Sequence, residues 1–130
     1  MNSLINFTHV GPQFVVQDIN ASIDFYKNVL GFVVDYEKGS PVEYAVVYSG
    51  EVYIHLCLQK NQQFKIGPGC CFICVSNIDK LWEDVKGRQV EVIQFLQEND
   101  YGHNVVFKDF VIKDLDENIL RIGQQITKKS

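Results

Sequence analysis

The chain has no concentration of positive charge: 12 Lys and Arg are outnumbered by 16 Asp and Glu, giving a net charge of -4 and a pI near 5.3. A phosphate backbone needs a stripe of cations to replace its counterions, so the composition argues against a nucleic-acid partner. Long apolar runs are equally scarce. No stretch approaches the roughly 18 to 20 residues that a membrane-spanning helix requires, and MNSLINFTHV lacks the basic start and apolar centre of a secretion signal. The expectation is a cytoplasmic protein with no membrane partner. There is no G-x-S-x-G segment and no glycine-rich phosphate loop, since Gly67-Pro68-Gly69 reads as a turn. Serine hydrolases and P-loop enzymes are therefore not indicated.

Cysteine is present but badly placed for bridging. Of four cysteines, Cys70, Cys71 and Cys74 crowd the strand-like CCFIC, where joining one to another would distort the backbone. Free thiols in a reducing compartment are expected. The Cys71-x-x-Cys74 spacing would point to zinc or redox chemistry in a loop, but on a strand the two side chains face opposite ways. They read as small core residues.

What is present is enough apolar material for one core. At 130 residues and 46% hydrophobic, the chain reads as a single ordered domain spanning 1–130. FVVQDINASIDFYKNVLGFVV begins as a strand. Asp18 or Asn20 can then cap a helix with Ile19, Ile23, Tyr26 and Leu30 on one face, and Gly31 stops it. FICVSNIDKLWEDVKGRQVEVI repeats the scheme, with Asn77 as cap, Ile78, Leu81, Trp82 and Val85 on one face and Gly87 at the end. YAVVYSGEVYIHLCL and FVIKDLDENILRIGQ each read as strand, tight turn, strand. The chain thus parses as two βαβββ units, about 8–60 and 68–125, joined by the linker NQQFKIGPG and ending in a frayed ITKKS. The expected class is α+β, with paired βαβββ modules forming two curved four-stranded mixed sheets around a cavity.

VVQDINASIDFYKNVLGF, GEVYIHL, CFICVSNIDKLW, YGHNVVFKDFVIKDLDENIL and the final LRIG together resemble the vicinal oxygen chelate superfamily. That superfamily contains glyoxalase I, bleomycin resistance proteins and extradiol dioxygenases. The likeness runs from about Phe14 to about Gly123, and YGHNVVFKDF is closest to bleomycin-resistance-like members, with Tyr101 where tryptophan is usual. The resemblance implies a homodimer. It also implies, in metal-dependent members, four ligand positions, which fall here at Gly11, His55, Cys70 and Arg121. Glycine offers no donor atom and arginine is a permanent cation, so His55 and Cys70 alone fall short of a catalytic ligand set. His9, two residues before Gly11 on the same face, is the one residue that could restore it.

The expectation is a metal-free, cofactor-free small-molecule binder, possessing the scaffold of antibiotic-sequestering proteins. The alternative is a divalent-metal-dependent lyase, isomerase or dioxygenase. Candidate ligand-binding residues are His55, Arg121, Tyr53 and Cys70, with Tyr44 and Tyr48 either lining the same space or lying on the outer face. Tyr53, His55 and Cys57 alternate with Ile54, Leu56 and Leu58 along their strand. A pocket holding one histidine and one arginine suits a flat or anionic molecule. Arg121 can instead be structural, paired with Glu51, Asp116 or Glu117. His103 is expected on an exposed loop or strand edge.

Overall fold

The computed structural model describes residues 4–60 and 65–127. The first module runs β1 (Gln13–Val16), α1 (Ile19–Leu30), β2 (Val33–Lys38), β3 (Tyr44–Ser49) and β4 (Val52–Leu58). The second runs β5 (Cys70–Cys74), α2 (Ile78–Val85), β6 (Glu91–Asp100), β7 (Val106–Lys113) and β8 (Ile119–Ile126). The sheets have the orders β1-β4-β3-β2 and β5-β8-β7-β6. In each, the first strand pairs parallel with the last while the remaining pairs are antiparallel, so both sheets are mixed. The expected repeat of βαβββ modules is the observed one. Residues 61–64 of the linker and 128–130 of the tail lie outside the described residues. Among the described residues, no helix is long and apolar enough to cross a membrane.

Local signals explain the helices. Asp18 caps α1 by accepting from the Ala21 N–H, and Gly31 closes it in the left-handed conformation at φ 74°. The Gly31 and Phe32 N–H groups then reach back to Lys27 and Tyr26 carbonyls, satisfying groups the helix end would leave bare. Asn77 caps α2 in the same way. Gly87 does not: α2 ends at Lys86 in right-handed geometry, and Gly87 lies beyond it.

Ile19, Ile23, Tyr26 and Leu30 of α1 are buried against Ile54 and Leu56 of β4. The same cluster includes Ile73, Phe110, Ile112, Leu120 and Ile122 of the second module. One core therefore unites residues of both modules on the helix side of the sheets. The β7–β8 turn fastens the modules together. Asp114 accepts from the backbone N–H of Asp116 and Asn118 and from Tyr26 Oη at 2.8 Å, while Asp116 accepts from Gln17 N and Ser22 Oγ. Burial, reinforced by Asp114, drives the Tyr26 phenol far above its ordinary pKa, so it remains a donor.

Candidate functional site

Strand alternation turns Tyr53, His55 and Cys57 away from the helices, onto the open face of the first sheet. Cross-strand register places Tyr44 opposite Cys57, Val46 opposite His55 and Tyr48 opposite Tyr53. Tyr44 and Tyr48 therefore share the His55 face. The Tyr48 and Tyr53 rings stack with centroids 5.2 Å apart and planes 11° from parallel, and Tyr44 Oη lies 2.6 Å from His55 Nδ1. Burial raises the Tyr44 pKa, with a smaller contribution from Cys57.

Above this face is a cavity of about 670 Å³ whose walls include His9, Val46, Tyr53 and His55, with the carboxylates of Asp35 and Glu51. His9 packs its ring on Tyr53 at 5.5 Å. Gly11 borders the histidine directly: a Cβ there would lie 3.0 Å from His55 Cδ2 and 3.2 Å from Nε2. His103 sits in an exposed turn with φ 54° and is not among the residues lining this cavity.

Arg121 is on the other sheet, paired in register with Phe72 and Val111. Its acidic partner is Asp109, not Glu51, Asp116 or Glu117. Arg121 Nη1 donates to Asp109 Oδ1 at 2.9 Å, and the aspartate is fully buried. Gln94 Nε2 and Asn99 Nδ2 donate to the same oxygen at 2.8 and 2.6 Å, while Tyr101 Oη donates to Oδ2 at 2.9 Å. Gly123 makes room for this carboxylate, since a Cβ there would approach Asp109 Cβ to 2.7 Å.

These positions change the expected electrostatics. The pocket idea that favoured an anion needed histidine and arginine in one space. The histidine cavity instead has two carboxylates, and the arginine already faces a carboxylate of its own. The cysteines also differ from the core reading. Only Cys71 packs against the core, where burial pushes its thiol up to about 11; Cys70 and Cys74 are exposed. None of the four is in a disulfide.

The inherited metal positions do not fit a metal ion. Gly11 has no donor, and Arg121 is cationic and ion-paired. Among the described residues, no group of three or more His, Cys, Asp and Glu side chains is arranged to hold a metal ion. His9, Asp35 and Glu51 do share the His55 cavity, but they do not converge with it closely enough to make a set of three ligands.

The family model described as Glyoxalase/Bleomycin resistance protein/Dioxygenase superfamily matches residues 6–122. The chain belongs to this superfamily. Bleomycin resistance proteins of Geobacillus stearothermophilus and Staphylococcus aureus are each 29% identical over 132 aligned positions, which cover 88% of this chain and 95% of theirs. Two solved structures share the superfamily fold at lower identity. TioX from Micromonospora sp. ML1 has a TM-score of 0.78 at 13% identity, covering 92% of this chain and 100% of its own. TnmS3, an antibiotic binding protein from Streptomyces sp. CB03234, has a TM-score of 0.74 at 17% identity, covering 94% and 99%. The superfamily scaffold accounts for the two-sheet architecture; the chemistry of the faces rests on the residues described above.

The aspartate cluster escaped the sequence reading. Its one visible trace is Asp109 itself, a lone acid in the apolar segment VVFKDFVI.

Proposed function

We propose that this member of the superfamily binds a planar small molecule without a metal ion. The ligand lies on Tyr53 and takes a hydrogen bond from His55. The observation that carries this reading is the first-sheet face, where Tyr53, backed by its stacking on Tyr48, and a tethered His55 line a cavity bordered by two carboxylates. Aromatic floors bind flat molecules by area and offset stacking, and Asp35 and Glu51 favour a neutral or cationic molecule over an anion. Bleomycin resistance proteins and an antibiotic binding protein among its relatives support sequestration of an antibiotic-like compound in the cytoplasm. Arg121 and Cys70, on the second sheet, contribute to ligand contact on this reading only where a second copy faces the first. A homodimer is part of the proposal. The exposed apolar segment of Leu4, Ile5, Phe7 and Val10 supports it.

The test is a thermal-shift screen of planar cationic, neutral and anionic aromatics, followed by affinity measurement on Tyr53→Ala and His55→Ala. Stabilisation by a neutral or cationic compound, weakened at least about tenfold by Tyr53→Ala, is the expected result. The observation in favour of the metal-enzyme alternative is that His9, Asp35 and Glu51 line the same cavity as His55. Close to one tightly held divalent ion per chain, lost on His55→Ala, would establish that alternative instead.

A further inference from the structure

We propose that Tyr44 is a positioning residue: its hydroxyl donates to His55 Nδ1, fixes the neutral ring as the Nε2–H tautomer, and turns that N–H toward the cavity to select ligands carrying an acceptor oxygen. A neutral imidazole has one protonated nitrogen and one lone-pair nitrogen, and the partner of either one decides the tautomer. At 2.6 Å the two atoms are in close hydrogen-bond contact, and a phenolic hydroxyl can donate to an unprotonated Nδ1. Tyr44 Oη has no other hydrogen-bond partner among the described residues.

The opposite edge of the ring is open. His55 Nε2 has no partner among the described residues, and Gly11 keeps it uncovered, because any side chain there would begin 3.2 Å from Nε2. Tyr44 and Gly11 thus act on the same ring from two sides. One spends the lone pair and the other exposes the N–H. A ligand with a carbonyl, ether or phenolic oxygen above Tyr53 is matched to it.

The first arm of the test needs no ligand. Long-range proton–nitrogen spectra of the full-length ¹⁵N-labelled chain at pH 8, where ordinary imidazoles are neutral, identify His55 by the signals lost in His55→Gln. The expected spectrum shows a protonated Nε2 and an unprotonated Nδ1 whose shift moves in Tyr44→Phe. A proton on Nδ1, or an Nδ1 shift unmoved by Tyr44→Phe, overturns the positioning role.

The second arm rests on the proposed binding function. It compares coumarin with 1,2-dihydronaphthalene, a similar bicycle without the oxygens. The ratio of their affinities should fall about three- to tenfold in His55→Phe, the worth of one neutral hydrogen bond, and fall in the same direction in Tyr44→Phe. Unchanged ratios overturn the acceptor selection. Failure of both probes to bind, with the tautomer as stated, defeats the binding reading and its selectivity while upholding the role of Tyr44.

Discussion

Arg121 answers to Asp109 before it answers to any ligand. The carboxylate has no solvent exposure and the arginine side chain retains 34%, so the pair is buried on one side and open on the other. Removing a cation from a buried carboxylate is strongly destabilising, because the remaining charge has lost both water and partner. Here Gln94, Asn99 and Tyr101 still donate to Asp109 and soften the loss. Arg121→Met should therefore cost about 2 to 3 kcal/mol in urea unfolding, at or below the bottom of the range for deletions of fully buried pairs. Adding Asp109→Asn to that variant should recover part of the loss, since the orphaned charge is gone; no recovery would mean that the arginine acts through packing of its stem. Gly123→Ala belongs to the same cluster. Its methyl would press on Asp109 Cβ, and a cost of about 1 to 3 kcal/mol is expected from overpacking.

At the scale of the element, the turn between β7 and β8 is the most heavily bonded connection described. Asp116 sits there half-buried, and its pKa is raised, chiefly by desolvation and secondarily by the Asp114 charge, against hydrogen bonds from Gln17 and Ser22 that lower it. A carboxyl whose folded pKa exceeds its unfolded value binds its proton more tightly in the folded state. Its stabilising contribution is complete below the ordinary aspartate pKa of about 3.9 and is lost as pH rises through the higher folded value. Asp116→Asn should remove that component: comparing urea midpoints from pH 4 to 7, the wild type should lose more stability relative to the variant as pH rises. A constant difference across the range would assign Asp116 no titrating role. The turn was legible in DLDENIL, as were both helices and the strand pairs, because caps, periodicity and tight turns are written within a few residues. The Asp109 cluster was not. Register shifts in β6, between Val92 and Gln94 and between Gln94 and Gln97, decide that Gln94 and Asn99 meet Asp109, and no local pattern encodes where a bulge falls. The histidine face was half legible: alternation gave Tyr53 and His55, but assigning Tyr44 and Tyr48 to that face required the register of β3 against β4.

For the whole molecule, the question is whether two similar modules behave as one. Among the described residues each sheet pairs strands only within itself, so cooperation has to come from elsewhere. Two features supply it: the apolar cluster shared by α1, β4, β5, β7 and β8, and the turn carboxylates that accept from Gln17, Ser22 and Tyr26 of the other module. Unfolding one module alone would expose its half of the core and strand Asp114 and Asp116 without several donors, so partial unfolding is unfavourable. The chain has a single tryptophan, Trp82, on α2 against Phe95 and Phe110, so its fluorescence reports the second module. The helical circular dichroism is weighted toward the first, whose α1 has 12 residues against 8 in α2. In urea the two signals should trace one transition with a common midpoint. Asp114→Ala, which leaves the buried Tyr26 hydroxyl and two turn N–H groups unpaired, should lower the midpoint, with a loss of about 2 to 4 kcal/mol in unfolding free energy, while keeping the signals together. Midpoints that separate in the wild type would show that the modules fold independently and that the shared core does not couple them. Separation only in the variant would locate the coupling in the turn.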